Sequence, residues 1–313
     1  MADKTPQTQV ADTLDRRLTP VREDLVSKDF QDRFPGITTA PGEPMMCAAG
    51  VTGLMKAPSL TTGRETELLF GEPFTVYEHR GGWAWGQSGL DGYVGYVAGG
   101  DLAPFERAPT HRVNVLRTLI FSEPDIKSAP HGFVSMNSLL RGIDPDHRSS
   151  RFFEITLPGQ KRGHVIADHC APTHEQTPDY VALAEYYLDA PYLWGGRSSL
   201  GLDCSALVQN ALTCACGIAP GDPPILRDTD MQEKTIGKAL EGAPLDLLTE
   251  GLLKRGDVIF WKGHVALMRD DRHIVHANAT HMCVSIDPLK DYADRVSRDA
   301  GPVTSIRRLA ARS

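Results

Sequence analysis

The sequence predicts an α+β protein in which two small β-barrels precede a domain of helices and an antiparallel sheet. A length of 313 residues exceeds what one ordinary core buries and usually divides into two or three domains. The 29 glycines and 22 prolines indicate many turns and therefore a substantial β content. The third observation is a change from strand-like to helical periodicity after the second barrel, where the mixed domain begins.

Local patterns distinguish four parts of the chain. Residues 1–45 are predicted to be an N-terminal arm and linker, in which "DTLDRRLTPVREDL" has the composition of a short helix. Residues 46–106 and residues 107–172 each contain short strands between glycine turns, and their size fits a barrel of about five or six strands. Residues 173–313 begin with a proline-rich joint and form the mixed domain, which contains the candidate catalytic residues.

The mixed domain begins with two predicted helices. In the first, Thr177 is the expected N-cap and Pro178 the first helical residue. Its apolar stripe consists of Tyr180, Leu183, Ala184 and Tyr187. The second helix is predicted from Cys204 to Cys216, and Gly217 ends it. Three strand candidates follow: "GDVIFW", "HVALMR" and "HIVHAN".

The overall charge excludes two classes of partner. The formal net charge is −7 and the basic residues form no cluster, so the sequence predicts neither a nucleic-acid partner nor binding to an anionic membrane. No stretch has about 18 consecutive apolar residues, and "MADKTPQTQVADTLDRRL" lacks the apolar segment of a secretory signal. The six cysteines show neither a disulfide framework nor metal spacing. A cytoplasmic protein with reduced thiols is therefore expected.

One cysteine has an unusual setting, in the segment "APYLWGGRSSLGLDCSALVQNAL". Asp203 is the expected N-cap of the second helix, which places Cys204 in its first turn. There the free N–H groups and the helix dipole favour an anion, so the thiol pKa should fall below its usual value of about 8.5. The alternative is a buried structural cysteine, an interpretation that suits Cys214 and Cys216 better.

A nucleophilic thiol needs a base, and two histidines are candidates. His264 begins "HVALMR" and His276 lies in "HIVHAN". If these strands form a hairpin centred on Asp270, the two histidines are directly opposed, with Cβ atoms about 4.5–5.5 Å apart. One imidazole would then accept the thiol proton while the other orients it. A polar sheet face is the alternative, and a slip of one residue in register would separate the pair.

A zinc site in "HIVHANATHMC" is the competing interpretation of the same segment. The possible ligands are His273, His276, His281 and Cys283. On a strand, His273 and His276 point to opposite faces, so both cannot bind one ion without a bulge. Neither an HExxH motif nor paired CxxC motifs are present. The sequence therefore predicts no metal and no cofactor.

Four segments, in chain order, resemble the motifs of the NlpC-type papain-like cysteine peptidases of bacterial murein. They are "PYLWGGRSSLGLDCSALVQ", "ILRDTDMQ", "KRGDVIFWKGHVALM" and "HIVHAN", within residues 175–290. The resemblance implies a papain-like fold in which Cys204 is the nucleophile, His264 the general base and His276 the residue that orients it. It also implies that the Tyr192 hydroxyl and the Cys204 backbone N–H stabilise the oxyanion.

The segment "TELLFGEPFTVYEHRGGWAWGQSGLDGYVGYV" resembles the paired bacterial SH3-like domains of the subgroup that processes released murein peptides. In that subgroup the first barrel closes the far end of the cleft, so that a free N-terminal L-Ala is accepted. The resemblance implies that Asp228 pairs with this amine. The other pocket residues it implies are Trp194, Asp203, Ser205, Glu72 and Tyr93. For Glu72 and Tyr93, surface charge and barrel core are the alternatives.

The activity implied by the resemblance is hydrolysis of the γ-D-glutamyl–diamino acid bond. The substrate would be a murein-derived peptide with a free N-terminal L-Ala, and the role would be recycling of cell-wall peptides inside the cell. Two alternatives stay open at the level of sequence. One is a murein-binding protein whose catalytic fold is no longer active, and the other is an amidase or acyltransferase on the same fold.

Overall fold

The computed structural model describes residues 14–143, 151–177, 179–217, 223–242, 248, 252–297 and 301–310. Its α+β architecture confirms the predicted fold class. The mixed domain packs against strands that precede it in the chain, and each part has its own hydrophobic core. None of the helices in these ranges has the length and apolar character that a bilayer span requires.

The N-terminal arm contains no α-helix within its described residues. The helix predicted for residues 12–25 is therefore absent from residue 14 onwards, and residues 12 and 13 lie outside the described ranges. Strand β1 (Leu25–Ser27) pairs in parallel with β2 (Thr38–Ala40). The backbone of the arm also bonds to the first barrel, since Val94 N–H donates to Arg17 O at 2.8 Å. Pro20, which lacks an N–H, further disfavours a continuous helix.

The first barrel is a single antiparallel sheet of seven strands in the order β5-β4-β8-β7-β6-β3-β9, more strands than predicted. The strands are β3 (Glu43–Cys47), β4 (Val51–Met55), β5 (Arg64–Leu69), β6 (Pro73–Arg80), β7 (Trp83–Ser88), β8 (Val94–Ala98) and β9 (Leu102–Pro104). Alternating side chains such as Leu54, Leu68 and Phe74 point inward and form its core. The short strand β9 pairs with β3 and forms one edge of the sheet.

The second β unit consists of two small sheets, in the orders β13-β10-β16 and β12-β11-β15-β14. Its strands are β10 (His111–Val113), β11 (Arg117–Phe121), β12 (Pro130–Ser135), β13 (Leu139–Leu140), β14 (Phe152–Leu157), β15 (Lys161–Ile166) and β16 (Cys170–Pro172). One cluster of buried residues, including Val113, Phe153 and Val165, lies between them. Within the residues that the structure describes, the short 3-10 helices are Lys28–Arg33, Gly99–Asp101, Pro158–Gln160 and Ala167–His169.

The mixed domain packs helices against a six-stranded antiparallel sheet of order β19-β24-β20-β21-β22-β23. Its helices are α1 (Tyr180–Glu185), α2 (Cys204–Cys216), α3 (Thr229–Thr235) and α4 (Leu289–Val296). Its strands are β17 (Arg197–Ser198), β18 (Gly201–Leu202), β19 (Lys238–Ala239), β20 (Val258–Trp261), β21 (His264–Met268), β22 (His273–Asn278), β23 (Cys283–Pro288) and β24 (Ser305–Arg308). Helix α2 is almost wholly buried against β21 and β22, which fixes its N-terminus beside that sheet.

The start of α1 differs from the prediction. Its N-cap is Asp179, whose carboxylate accepts the N–H groups of Val181 and Ala182 at 3.1 and 3.0 Å. Thr177 is not the cap because the helix begins three residues later, at Tyr180; the Thr177 N–H donates to Ala215 O at the end of α2. Pro178 lies outside the described residues.

The predicted bounds of α2, its Asp203 N-cap and its Gly217 end are confirmed. The three strands predicted after it are confirmed as β20, β21 and β22.

Candidate active site

Cys204 is the first residue of α2, and a glycine-rich turn leads into it. Asp203 accepts the Ala206 N–H at 3.0 Å, which is the N-cap hydrogen bond that the sequence predicts. The turn needs small residues, because a Cβ at Gly196 would lie 2.5 Å from the carbonyl oxygen of Gly201. The sulfur is buried, with the residue only 5% exposed. The close approach of the backbone at Gly196 to that at Gly201 therefore places the Cys204 thiol at the base of a cleft.

The pKa of the Cys204 thiol moves in the direction opposite to that predicted. Burial raises it to about 12, and the neighbouring Asp203 carboxylate adds to the increase. The N–H groups of Val265 and Ser205 and the charge of Arg227 act the other way without cancelling the loss of hydration. Desolvation of the thiolate outweighs the helix N-terminus. The thiol is therefore protonated at neutral pH and requires a base.

The two candidate histidines form a hydrogen-bonded pair, although the hairpin register differs from the prediction. Leu267 pairs with Val275 and Met268 with Ile274, which centres the hairpin on residue 271 instead of 270. His264 and His276 are therefore diagonal neighbours on one face, not directly opposed residues. Diagonal positions remain within reach of aromatic side chains. His264 Nε2 lies 2.9 Å from His276 Nδ1.

The pair continues to a carboxylate that the sequence analysis missed. His276 Nε2 lies 2.8 Å from Asp287 Oδ2, on the neighbouring strand β23. Asp287 also accepts from Ser285 Oγ at 3.1 Å, and its other oxygen lies 3.1 Å from His281 Nε2. The hydrogen bond from His276 is the main reason that the pKa of Asp287 lies below its usual range. The alternation of "CVSIDP" places Ser285 and Asp287 on one face and was the available signal.

The hydrogen bonds define which nitrogen carries each proton. A carboxylate only accepts, so His276 Nε2 donates to Asp287 and His276 Nδ1 is left as an acceptor. His264 Nε2 then donates to His276, which leaves His264 Nδ1 with a free lone pair. Burial, followed by the charge of His276, lowers the pKa of His264 to about 3. His264 is therefore a neutral imidazole whose Nδ1 has a lone pair that can accept a proton.

Aromatic rings surround the two imidazoles. Tyr292 of α4 packs edge-on against His276 with ring centroids 4.3 Å apart, and its ring lies 5.4 Å from that of His264. Trp261 lies on a third side, 5.7 Å from His264. Such packing removes water from the hydrogen-bonded chain and fixes the ring orientations.

The other histidines and cysteine considered for zinc do not gather around one point. His273 bonds to Asp270 in the hairpin turn at 3.0 Å, and Cys283 is a free, half-buried thiol at the start of β23. Within the described ranges, no cluster of three or more histidine, cysteine or carboxylate side chains has the geometry of a metal site.

A pocket of about 350 Å³ contains Cys204 and combines residues from the arm, the first barrel and the mixed domain. Its lining residues are Arg17, Glu65, Tyr93, Tyr192, Trp194, Asp203, Cys204, Ser205, Asp228, Thr229, Asp230 and Gly263. Most of the residues that the sequence analysis named thus share one cavity. Trp194 is 72% exposed, whereas Ser205 is buried beneath the cleft.

Tyr192 lies beside the thiol in this pocket. Its backbone is fixed because its N–H donates to Met282 O at 2.8 Å. Burial, followed by the neighbouring Cys204, raises the pKa of the Tyr192 hydroxyl. The hydroxyl therefore keeps its proton and can donate a hydrogen bond.

One end of the pocket is acidic. The Tyr93 hydroxyl lies 3.1 Å from Asp228 Oδ2 and 3.3 Å from Glu65 Oε2. The structure thus brings together Asp228 and Tyr93, which the sequence analysis selected, with Glu65, which it missed. The first barrel contributes two of these three groups and closes this end of the cleft.

Glu72 does not line the pocket, so the prediction for this residue is wrong. It is 1% exposed and forms a two-oxygen ion pair with Arg197 at 2.7 and 2.9 Å. Its Oε2 also accepts the Leu69 N–H at 2.9 Å. Glu72 lies in the tight turn after β5, so it faces the mixed domain and joins the barrel to it. Glu65, at the start of β5, lines the pocket instead of Glu72.

Asp203 and Ser205 are held by a buried arginine from the "RD" motif. Arg227 donates to both oxygens of Asp203 at 2.9 and 2.8 Å and to Ser205 Oγ at 2.8 Å. Its Nε donates to Thr66 Oγ1 of the barrel at 2.9 Å. The Arg227 side chain therefore links the N-terminus of α2 to the first barrel.

Comparison with known proteins agrees with the fold. Residues 54–102 match the family model described as the bacterial dipeptidyl-peptidase SH3 domain, and residues 189–297 match the NlpC/P60 family model. The chain is 26% identical over 277 residues to dipeptidyl-peptidase 6 of Lysinibacillus sphaericus, covering 82% of this chain and 96% of that protein. It is 27% identical over 253 residues to a γ-D-glutamyl-L-lysine dipeptidyl-peptidase of Bacillus cereus, covering 72% and 70%.

A solved structure supports the same fold. The crystal structure of an NlpC/P60 family protein from Bacillus cereus superimposes with a TM-score of 0.68 at 19% identity, covering 85% of this chain and 99% of that one. The fold and the matches together define a papain-like cysteine peptidase. Its peptidase domain is of the NlpC/P60 family and follows a bacterial SH3 domain, which confirms the resemblance seen in the sequence. That the second β unit is also an SH3-like domain stays a prediction.

Proposed function

We propose that this peptidase hydrolyses the γ-D-glutamyl–diamino acid bond of murein peptides that have a free N-terminal L-Ala. The observation that supports this most directly is the acidic end of the pocket, where Glu65, Tyr93 and Asp228 converge in the cavity that contains Cys204. Carboxylates at the closed end of a cleft bind an ammonium group through charge-assisted hydrogen bonds. Two relatives named γ-D-glutamyl-L-lysine dipeptidyl-peptidases agree with this substrate class.

In the proposed mechanism Cys204 is the nucleophile and His264 the general base. His264 Nδ1 accepts the thiol proton, and the thiolate forms a bond to the γ-carbonyl carbon of D-Glu. His276 and Asp287 hold the base in its reactive tautomer through the hydrogen-bonded chain. Protonated His264 then gives its proton to the amine of the diamino acid as the C–N bond breaks. A water molecule, deprotonated by His264, hydrolyses the thioester and releases L-Ala-D-Glu with a free γ-carboxylate.

The negative charge that develops on the carbonyl oxygen is proposed to be stabilised by two donors. One is the backbone N–H of Cys204, at the N-terminus of α2, where N–H groups have no partner within the helix. The other is the Tyr192 hydroxyl, which keeps its proton. Donors fixed in this way stabilise the transition state without rearrangement.

Acetylating the N-terminus of the substrate is expected to reduce kcat/KM by about 10²- to 10⁴-fold, because the partly buried carboxylates of Asp228 and Glu65 would lose their cationic partner. The measurement compares L-Ala-γ-D-Glu-L-Lys with its N-acetyl form by mass analysis of the products. Equal rates on the two peptides would contradict the proposed amine site. Cleavage of another amide in preference to this one would instead favour the amidase or acyltransferase alternative.

The pH dependence should separate the base from the substrate amine. His264 acts as a base only when neutral, and its pKa of about 3 keeps it neutral above about pH 4. We therefore expect no decrease in kcat around the usual histidine pKa of about 6.5. The substrate α-amino group loses its charge near about pH 8, so KM should rise about tenfold per pH unit above that value. A midpoint in kcat near about pH 6.5 would contradict this assignment.

A further inference from the structure

The N-terminal arm places one side chain, that of Arg17, inside the pocket that contains Cys204. Its Nη1 lies 2.8 Å from Asp228 Oδ2 and 2.8 Å from Asp230 Oδ1. Its Nη2 donates to Asp230 at 2.8 Å and to Asp15 at 2.7 Å, and its Nε donates to Asp15. Each nitrogen of the guanidinium is thus bonded to a carboxylate. Arg17 therefore has no nitrogen left to receive an anionic group of a substrate.

The arm is held in place by its backbone, independently of this side chain. Arg17 O accepts the Val94 N–H at 2.8 Å, and Leu18 O accepts from Gln87 Nε2 at 3.0 Å. Both partners belong to the first barrel. Removing the guanidinium should therefore leave the arm docked, so the side chain can be tested without losing the segment.

Arg17 and the proposed substrate amine require the same carboxylate oxygen. Asp228 Oδ2 accepts from both Arg17 Nη1 and the Tyr93 hydroxyl, and Tyr93 is also the link to Glu65. We propose that Arg17 is an internal cation that occupies the amine site and that the N-terminal ammonium of the substrate displaces it. Arg17 is then a specificity-determining residue. This inference rests on the proposed function, since it assumes that Asp228 binds the amine.

Exchange of one cation for another explains selection against a neutral N-terminus. An ammonium group replaces the charge that Arg17 withdraws, so Asp228 keeps a cationic partner throughout. An acetylated N-terminus would displace the guanidinium without replacing its charge and would leave the partly buried Asp228 carboxylate with the Tyr93 hydroxyl but no cationic partner. Arg17 thereby penalises neutral ligands as well as competing with cationic ones.

The exposure of the contacts allows such an exchange. The Arg17 side chain is 35% exposed, and its partners Asp15 and Asp230 are 40% and 50% exposed. Exposed ion pairs contribute little free energy and rearrange readily. Arg17 can therefore release Asp228 while it keeps its contacts with Asp15 and Asp230 at the rim of the pocket.

The experiment compares Arg17→Met with Arg16→Met in the full-length protein. Arg16 is the exposed neighbour, so its replacement removes the same charge outside the pocket. With L-Ala-γ-D-Glu-L-Lys as substrate, Arg17→Met is expected to lower KM about threefold and to change kcat little, because the competing cation is gone. Arg16→Met should leave both constants unchanged. Binding of the same tripeptide to Cys204→Ala, with and without Arg17→Met, should give the same ratio by calorimetry.

Two results would overturn the inference about Arg17. An increase in KM would mean that Arg17 helps to bind the substrate, and a KM equal to that of Arg16→Met would mean that it does not compete. Failure of the proposed function is recognised separately. In that case the parent enzyme itself would cleave free and acetylated peptides equally, whatever residue 17 is.

Discussion

Replacing Cys204 by alanine is expected to reduce the turnover of L-Ala-γ-D-Glu-L-Lys by at least about 10⁴-fold. The sulfur is the only group of the proposed mechanism that bonds covalently to the substrate, so no other side chain can replace it. The change removes one atom at a buried position and keeps the Asp203 N-cap bond to Ala206. Release of L-Ala-D-Glu, followed by mass analysis, measures the effect.

The matched control for this prediction is Cys283→Ala. Cys283 is also a free thiol in the mixed domain but lies at the start of β23 and does not line the pocket. This variant should retain turnover, and the melting temperatures of the two variants should be similar. If Cys204→Ala kept more than about one hundredth of the parent rate, the nucleophile assignment would be wrong. If the parent itself showed no turnover on any γ-linked peptide, the binding-protein alternative would be favoured.

Replacing Asp287 by asparagine should reduce kcat by about 10³- to 10⁴-fold, the size of effect known for the buried aspartate of serine protease triads. The asparagine amide can donate to His276 Nε2, which would move the His276 proton to Nδ1. His276 would then donate to His264, whose proton would move to the nitrogen that should accept from the thiol. The base would have no free lone pair there.

The control for Asp287→Asn is Asp270→Asn, in the turn between β21 and β22 of the same sheet. Asp270 bonds to His273 at 3.0 Å and is exposed to solvent, so the chemical change is the same but the histidine is outside the site. Asp270→Asn should leave kcat unchanged. The two variants should differ in kcat but not in KM, because inverting the tautomers of His276 and His264 affects proton transfer and not substrate binding. A decrease in stability without a decrease in kcat would show that Asp287 has only a structural role.

The short-range features of the site could be predicted from the sequence. The N-cap Asp203, the bounds of α2 and the three strands after it depend on signals within a few residues, and these were confirmed. The predicted centre of the hairpin was wrong by one residue, because the register depends on how β21 and β22 pack on α2. The two histidines are still hydrogen-bonded to each other, because diagonal positions share a face of the sheet.

Other errors come from groups that are distant in the chain. Glu72 was selected for the pocket, but its two-oxygen pairing with Arg197 is visible only once the barrel meets the mixed domain. The predicted fall in the thiol pKa ignored burial by surrounding elements, which outweighs the helix N-terminus. Arg17 entered no prediction because 211 residues separate it from Asp228.

By itself the sequence determined the thiol at the start of a helix and the histidines on successive strands, because helix caps and strand alternation are local properties of the chain. The class of the protein followed from the resemblance of its motifs to a known family. Only the tertiary structure decided that Asp287 completes the hydrogen-bonded chain, that Glu65 replaces Glu72 and that Arg17 lies at the amine site. These three facts depend on desolvation and on charges from separate segments meeting in one cavity, and no local pattern encodes such distances.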